Sequence, residues 1–336
     1  MSIVPQQPPP PTPSATLILV RQNESEMELY LLRRSAASRF MPGVYVFPGG
    51  RLEAEDRDTD FWLGHVDLSE KEMPAALNGR PETILPFAVA AIRETWEEAG
   101  VLLAGPMARG GGPATAPATK DFNSPSFRRR PESSAFPEGR IKSGMTEADP
   151  CTDPANRRPA GGLSFKRLAG TRDLILSTSK MAYWSRWITP QSMPKRFDTC
   201  FFIAPVKRNQ RCRPDNRETV DGIWISPREA LTKNSDGSLP LSPPALVTLH
   251  QMLSFADLRE MVVEARNRTW PAAITPRLWP LEKGGLLVQP WDPDYERDTV
   301  RVDEYRLQKD VLPVGAPFSR LWLSGGVFRP VRNPDS

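Results

Sequence analysis

The stretch AAIRETWEEAG, residues 90–100, has the spacing of a short helix that carries three carboxylates on one side. On a helix Glu94, Glu97 and Glu98 stand at i, i+3 and i+4, so their side chains cluster. The opposite side is apolar and predicts contact with a hydrophobic core: Val89, Ile92, Trp96 and Ala99. We therefore expect the three acids to face a cleft or solvent, with the helix held from behind by packing.

The acidic cluster is electrostatically unfavourable when it stands alone. Glu94 and Glu98 are like charges four residues apart, and the last two acids precede Gly100 at the negative end of the helix dipole. Each of these terms costs a few tenths to about 1 kcal/mol. A bound divalent cation reverses their sign, because Mg²⁺ and Mn²⁺ prefer hard oxygen ligands. These residues alone are compatible with a metal site or with a solvated acidic face.

The surrounding pattern favours the metal site. Upstream lies VFPGGRLEAED, residues 46–56, and the two pieces together resemble the Nudix box, G-x5-E-x7-R-E-U-x-E-E-x-G-U with U aliphatic. Gly50 takes the first glycine of that pattern. The second half of the box is matched by Arg93, Glu94, Glu97, Glu98, Gly100 and Val101. The resemblance implies a Nudix α/β/α sandwich around a mixed sheet, with the catalytic helix on one face.

The chain departs from the family pattern at three points. Asp56 stands where the first Glu is expected, Thr95 stands where an aliphatic residue is expected, and residues 57–92 lie where the pattern has seven positions. An interrupted box is similar to that of the Nudix branch containing the mammalian peroxisomal coenzyme A diphosphatase. This branch resemblance continues in WSRWITP (184–190) and RFDTCFF (196–202).

The resemblance implies metal-dependent hydrolysis of the diphosphate linkage in a nucleoside diphosphate derivative. Coenzyme A or acyl-coenzyme A follows from the branch, while ADP-ribose, NADH and dinucleoside polyphosphates stay open. By family analogy Arg93 orients a box carboxylate. The residues expected to hold Mg²⁺ or Mn²⁺ are Glu94, Glu97, Glu98 and the carbonyl of Gly50, with Glu53 and Asp56 as secondary candidates.

Two further candidates lie downstream of the box. In the loop 190–198, Arg196 offers a phosphate-pairing fork and Phe197 a ring for stacking, although a plain hairpin loop capped by Asp198 fits the same residues. Some Nudix enzymes take a catalytic base from a loop near Glu218, which is a possible base here or a solvated loop residue.

The composition divides the chain into unequal parts. Residues 104–160 are rich in Pro, Gly and Ser, which favours disorder, and 57–85 hold enough apolar residues for a small helical cap. The expected organisation is a proline-rich tail at 1–13, a Nudix domain in two parts at 14–103 and 161–268, and a β-rich extension at 269–336.

Local patterns also predict individual elements. We expect Pro86 to open the catalytic helix, because a proline at the first turn loses no hydrogen bond. The predicted strands are Ala15–Val20, Glu28–Arg33, Val44–Phe47, Val101–Leu103, Met181–Thr189, Thr199–Val206 and Asp221–Ser226. The predicted helices cover 163–169, 172–179, a start at Pro227–Leu231, and Ala245–Arg266.

The charge balance limits the classes of partner. The chain of 336 residues carries a net charge of +4, but the basic excess lies within 104–160, so the rest is almost neutral. We therefore expect a small nucleotide substrate and no nucleic acid, which argues against RNA-end processing. No apolar run reaches membrane-spanning length, and the three Cys have no CxxC spacing, so we expect a cytoplasmic protein. The oligomeric state is not indicated.

One other class of function fits the pattern. A Nudix-fold sensor would bind a nucleotide without cleaving it, but such proteins typically lose box carboxylates. Here only the first Glu is altered, conservatively, to Asp56. The box therefore favours an enzyme over a sensor.

Overall fold

The computed structural model describes residues 8–24, 26–38, 41–107, 164–268 and 272–334. The strands are β1 (Thr12–Asn23), β2 (Glu26–Arg34), β3 (Tyr45–Val46), β4 (Gly49–Arg51), β5 (Ala104–Pro106), β6 (Leu174–Leu176), β7 (Ala182–Ile188), β8 (Phe197–Pro205), β9 (Thr219–Ile225), β10 (Arg277–Pro280), β11 (Gly285–Val288), β12 (Arg320–Ser324) and β13 (Val327–Val331). The α-helices are α1 (Thr59–Leu63), α2 (Met73–Leu77), α3 (Pro81–Ala99), α4 (Phe165–Thr171), α5 (Pro227–Asp236), α6 (Pro243–Met252) and α7 (Leu258–Asn267).

A seven-stranded mixed sheet forms the centre of the molecule. Its strand order is β3-β2-β1-β8-β7, while β4 pairs with β1 and β9 pairs with β2. The β1 and β8 strands run parallel over nine residue pairs, and the other pairs are antiparallel. This arrangement confirms the mixed sheet expected from the Nudix resemblance.

Alternate residues of β1 enter two different cores, because successive side chains of a strand point to opposite faces. Leu17 and Leu19 belong to the cluster that packs on α3. Ile18 and Val20 belong to the cluster that includes residues of α5, α6 and α7. Helices therefore cover both faces of the sheet, and the predicted α/β/α sandwich is confirmed.

Helix α3 carries the acidic stretch and ends as predicted. Its apolar stripe is buried, and Gly100 closes the helix in the left-handed conformation with φ +68°, which a glycine adopts without strain. The predicted start at Pro86 is wrong. Pro81 takes the first helical position instead, and Pro86 lies inside the helix. Ile84 and Leu85 explain the earlier start, because both side chains are buried. Their packing in the core stabilises the helical turn that precedes Pro86.

The stretch that interrupts the box is helical, as predicted. Helices α1 and α2 pack against α3, and Trp62, Met73 and Leu77 are at most 1% exposed. The end of the predicted cap at 57–85 forms the first turn of α3, because that helix begins at Pro81. The interruption is therefore built into the same core as α3.

Several predicted boundaries differ from the structure. Thr12 and Pro13, predicted as tail, begin β1, because residues 12–20 pair with β8. The predicted strand at 101–103 lies at 104–106, and 172–179, predicted as helical, contains the strand β6 instead. Both differences arise because β5 and β6 pair with each other. The partner of each strand is distant in sequence, so the local pattern does not indicate the pairing.

The predicted long helix at 245–266 is two helices. The first ends at Met252, and α7 begins at Leu258 because the carboxylate of Asp257 accepts a hydrogen bond from the backbone N–H of Glu260. Such a capping side chain satisfies a backbone donor that a new helix would otherwise leave unpaired.

The C-terminal strands form a second sheet. Strands β10 to β13 pair antiparallel in sequence order, in agreement with the β-hairpins expected there. Alternate side chains of these strands enter two different hydrophobic clusters. Leu287 and Leu321 join the cluster beneath the central sheet, while Leu286 and Val288 form a third cluster on the other side. In the part of the chain that the structure describes, no helix is both long enough and apolar enough to cross a bilayer.

The predicted disordered insertion at 104–160 lies outside the described residues, apart from 104–107. The segments that flank it are joined by the β5–β6 ladder, and the backbone N–H of Met107 donates to Asp173 at 2.7 Å. A short ladder therefore fixes the chain on both sides of the insertion.

Replacing residues 108–163 by a short Gly/Ser linker is expected to preserve the hydrolysis that the Nudix resemblance implies and to change the melting temperature little. Loop closure becomes only about 0.6 kcal/mol more costly per doubling of loop length, so shortening has a small effect. Activity and differential scanning fluorimetry of the purified variant check this. A longer replacement that also removes β5, residues 104–163, is the control and should lower the melting temperature. A folded 108–163 variant without activity would show that the insertion contacts substrate.

Candidate active site

The three acids of α3 lie around the end of β4, in environments that differ. The side chains of Glu94 and Glu97 are 15% and 24% exposed and line a large cavity. Glu98 is more deeply buried, and its carboxylate accepts a hydrogen bond from the backbone N–H of Gly49 at 2.9 Å. The helical spacing therefore keeps all three acids on one side of α3, next to β4.

Arg93 is the buried centre of this group. Its Nε and Nη2 donate to the two carboxylate oxygens of Asp56 at 2.9 and 2.8 Å. Its Nη1 donates to Glu94 at 2.9 Å and to Glu97 at 3.4 Å, and Nη2 also donates to the carbonyl of Arg51. A planar guanidinium holds several acceptors in a fixed geometry. Arg93 thereby joins the two halves of the interrupted box.

The two secondary candidates for ion support differ in their surroundings. Asp56 is 1% exposed, and its oxygens accept from Arg93 and from the backbone N–H of Glu53. This pairing favours a role in holding Arg93 over a role as a cation ligand. Glu53 has a side chain that is 65% exposed and lies 3.9 Å from Nη1 of Arg93.

The paired glycines allow β4 to approach the acids closely. A Cβ atom on Gly50 would lie 2.3 Å from Oε1 of Glu94, so any larger residue would displace that carboxylate. Gly49 has a similar limit, since its Cβ would lie 2.5 Å from the carbonyl oxygen of Ala15. The backbone of β4 therefore lies next to the carboxylates, where the carbonyl of Gly50 is expected as a ligand.

Burial makes the acids costly to ionise without a counter-charge. Burial, together with the charge of Glu97, raises the pKa of Glu94 to about 7, although Arg93 opposes the shift. Burial, together with the charges of Glu94 and Glu218, raises the pKa of Glu98 to about 8, against the hydrogen bond from Gly49. A cation would remove this penalty, because it favours the ionised form.

The donor set fits a hard divalent cation in its chemistry, since carboxylate oxygens and a carbonyl are the ligands that Mg²⁺ and Mn²⁺ prefer. The side chains do not converge as they stand: among the described residues, no three His, Cys, Asp or Glu side chains are grouped closely enough to hold an ion. Glu94 and Glu97 turn toward Arg93, and Glu98 turns toward Gly49.

A cavity of about 1100 Å³ extends from the acids across the sheet. Its wall carries the hydroxyl-bearing residues Ser14, Thr16 and Thr199, which lie on β1 and β8 beside β4, and many apolar side chains. The apolar part includes Trp187, Phe201, Pro276, Leu278, Leu287, Leu323 and Phe328. The wall therefore combines acidic, hydroxyl-bearing and apolar groups in one space.

The predicted substrate residues separate in the structure. Phe197 lines the cavity, with Nζ of Lys195 at 5.3 Å from its ring centre. Arg196 is 8% exposed and donates to the backbone carbonyls of Thr189 and Pro9. Its guanidinium anchors the chain before β1, so this placement does not favour the predicted phosphate contact. Asp198 forms an ion pair with Arg186 on the neighbouring strand.

Glu218, the possible base, lies in the wall of the same cavity, although it is far in sequence from the acids of the Nudix box. The backbone N–H of Ser35 donates to its carbonyl, which fixes the loop against the end of β2. Its side chain is exposed, and its charge contributes to the raised pKa of Glu98, after burial and the charge of Glu94. The structure thus brings Glu218 near the acids.

Sequence reasoning missed part of the cavity wall. Arg34 lines it and lowers the pKa of Glu98 against the effect of burial. Ser14 and Thr16 are also missed, although small polar residues at alternate positions of an otherwise apolar strand are a readable signal. The contribution of β10 to β13 has no local signal, because it depends on how the second sheet folds over the first.

The α/β/α sandwich, the glycine strand and the arginine-linked acids together define a Nudix hydrolase. The family model described as NUDT19 Nudix domain matches residues 7–252, and the chain belongs to this family. Enzymes of the Nudix class generally use divalent metal ions and act on small nucleotides.

Named relatives support the same assignment. The chain is 27% identical over 339 aligned positions to acyl-coenzyme A diphosphatase NUDT19 of Xenopus laevis, covering 91% of this chain and 83% of that protein. It is 30% identical to the Homo sapiens protein of the same name, covering 69% of this chain and 62% of that protein. A Nudix hydrolase structure from Alicyclobacillus acidocaldarius superposes with a TM-score of 0.52 at 22% identity, covering 74% of this chain and 94% of that one. This last similarity concerns the fold alone.

Proposed function

We propose that this protein hydrolyses the diphosphate linkage of coenzyme A or an acyl-coenzyme A in a reaction that requires Mg²⁺ or Mn²⁺. The names of its relatives support the substrate class. The observation that carries the proposal is the cavity, which joins the acidic cluster to a long wall of hydroxyl and apolar groups. Coenzyme A has a diphosphate attached to a long arm, and this shape fits such a cavity.

The residues proposed to hold the metal are Glu94, Glu97 and Glu98, with the carbonyl of Gly50. When bound, divalent ions stabilise charge on the phosphates and lower the pKa of an attacking water. Arg93 keeps Glu94 and Glu97 in position through the hydrogen bonds from its Nη1. Asp56 in turn holds Arg93, so it acts as a positioning residue.

Glu218 is the proposed base. Its carboxylate is exposed in the cavity wall, where it can accept a proton from water without displacing the buried acids. Phe197 is proposed to stack with the nucleotide base, since its ring lines the same cavity beside Lys195. Lys195 offers a positive charge for a phosphate at that end.

A substrate panel tests the proposal. Coenzyme A is expected to yield 4′-phosphopantetheine and 3′,5′-ADP, with kcat/KM at least tenfold above that for ADP-ribose or NADH. Products are identified by mass spectrometry after incubation with Mg²⁺ or Mn²⁺, and EDTA should abolish turnover. The Glu98→Gln variant controls for contaminating hydrolases. A preference for ADP-ribose, NADH or a dinucleoside polyphosphate would reject the coenzyme A assignment and leave the Nudix class standing.

A further inference from the structure

Three basic residues line the cavity among the described residues, and two of them lie with the acids. Arg51 follows Gly50 on β4, and Arg34 is close enough to Glu98 to lower the pKa of that carboxyl. The third is Lys195, in the loop that precedes β8. The cations at the acids serve the place where a diphosphate is expected, so Lys195 is left for a different group.

The strand register gives the separation between Lys195 and the acids. On β1, Ala15 is the partner of Gly50, and Thr12 is the partner of Phe197, which comes two residues after Lys195. Three residues along β1 and two strand spacings across it place Phe197 about 14 Å from Gly50. The cavity spans this distance, since it is lined at both ends. A ligand bound at the acids therefore reaches Lys195 only through a group several bonds away from its diphosphate.

The loop that carries Lys195 is fixed by the buried side chain of Arg196. Its guanidinium donates to the carbonyls of Thr189 at 3.1 Å and of Pro9 at 3.0 Å. The backbone N–H of Phe197 donates to the hydroxyl of Thr189, also at 3.0 Å. These bonds hold the backbone on the C-terminal side of Lys195 before any ligand arrives, which lowers the entropic cost of binding.

Lys195 combines a positive charge with an aromatic neighbour. Its side chain is exposed, and its Nζ lies 5.3 Å from the ring centre of Phe197. In the part of the chain that the structure describes, Lys195 has no ion pair with an acidic side chain. An ammonium without a protein carboxylate beside it is able to pair with a phosphate, and the ring offers a face for a nucleotide base.

We propose that Lys195 binds the phosphate on the ribose of the substrate, the 3′-phosphate of coenzyme A, and makes the enzyme prefer coenzyme A to 3′-dephospho-coenzyme A. This inference rests on the proposed function. With the diphosphate at Glu94 and Glu97, the ribose comes next and the base lies against Phe197. The 3′-phosphate projects from the ribose, between the base and the diphosphate, within reach of Nζ of Lys195.

Two substrates that differ only in this phosphate give the first test. We expect kcat/KM for coenzyme A to exceed that for 3′-dephospho-coenzyme A at least tenfold, because a charge-assisted hydrogen bond is lost with the group. The difference should shrink as salt is added, since ions screen an exposed pair. Equal kcat/KM for the two compounds would overturn the assignment.

Variants of the loop give the second test. Lys195→Gln should reduce the preference to threefold or less, whereas Lys195→Arg keeps the charge and should retain most of it. Lys207→Gln is the matched control, because Lys207 is exposed after the opposite end of β8 and does not line the cavity. Its preference should equal that of the unmodified protein. An unchanged preference in Lys195→Gln would show that another group reads the phosphate.

Binding of the nucleotide products gives a third test that needs no turnover. The compounds 3′,5′-ADP and AMP differ by the same phosphate, and neither contains a diphosphate linkage to cleave. In calorimetry with Mg²⁺ present, 3′,5′-ADP should bind the unmodified protein at least tenfold more tightly than AMP. Lys195→Gln should bind the two alike, to within threefold. Equal binding of both by the unmodified protein would contradict the phosphate site.

The outcomes separate this inference from the proposed function. Equal cleavage of coenzyme A and 3′-dephospho-coenzyme A rejects the phosphate site and retains the coenzyme A diphosphatase. Failure of both compounds to react, with ADP-ribose or NADH cleaved instead, rejects the proposed function. In that case equal binding of 3′,5′-ADP and AMP rejects the phosphate site independently. Tighter binding of 3′,5′-ADP that depends on Lys195 retains the site for another substrate with a ribose phosphate.

Discussion

Glu97→Gln and Glu98→Gln are each expected to lower turnover by 100-fold or more while the protein stays folded. A carboxamide keeps the shape of the side chain but removes the negative charge that binds a divalent cation. Loss of an interaction needed in the transition state appears mainly in kcat, so steady-state kinetics at saturating metal measure it. Metal titration by calorimetry should show weaker binding in the same variants.

The structure predicts that Glu98→Gln is well tolerated when metal is removed. The amide oxygen can still accept the hydrogen bond from the backbone N–H of Gly49. Burial disfavours the ionised carboxylate, as its raised pKa of about 8 indicates, and a neutral amide avoids that cost. The melting temperature in EDTA should therefore equal or exceed that of the unmodified protein.

Glu82→Gln is the matched control on the same helix. Glu82 lies in the first turn of α3, is 58% exposed, and is not in the cavity wall. Its activity should stay within about twofold of the unmodified protein, since exposed ion pairs contribute little. Full activity in both Glu97→Gln and Glu98→Gln would show that these residues are not metal ligands.

Asp56→Asn is expected to destabilise the protein by about 3 kcal/mol, because the buried Arg93 loses its two-point carboxylate partner and keeps ion pairs only with the more exposed Glu94 and Glu97. The side chains of Asp56 and Arg93 are 1% and 4% exposed, and two charge-assisted hydrogen bonds join them. Urea unfolding followed by tryptophan fluorescence measures the free energy of unfolding. Turnover should fall as well, because Arg93 then orients Glu94 and Glu97 less firmly.

Two companion variants separate the ion pair from general effects. Glu53→Gln alters an acid that is 65% exposed and 3.9 Å from Arg93, so its effect on stability should be below about 1 kcal/mol. The double variant Asp56→Asn with Arg93→Met should be more stable than Asp56→Asn alone, since it also removes the buried charge that has lost its main partner. Stability of Asp56→Asn within about 1 kcal/mol of the unmodified protein would contradict a structural role for this pair.

The sequence by itself determined the acidic C-terminal half of α3, the spacing of its three carboxylates and the class of fold. Helical periodicity and the spacing of Glu94, Glu97 and Glu98 are local properties, because neighbouring residues on one helix meet whatever the rest of the chain does. The apolar stripe behind them is also local, and α3 buries it as expected. The Nudix resemblance rests on the same short stretch together with the glycine strand.

Only the tertiary structure decided which partners the charged side chains have. Arg196 and Arg93 carry the same guanidinium, yet one donates to the carbonyls of Thr189 and Pro9 and the other to carboxylates. The pairing of Asp56 with Arg93 crosses the interruption of the box, and the second sheet closes the cavity from residues that follow the family domain. These contacts join residues far apart in sequence, and their energies depend on burial and distance. Burial and distance cannot be read from local residue spacing, so only the folded chain determines these contacts.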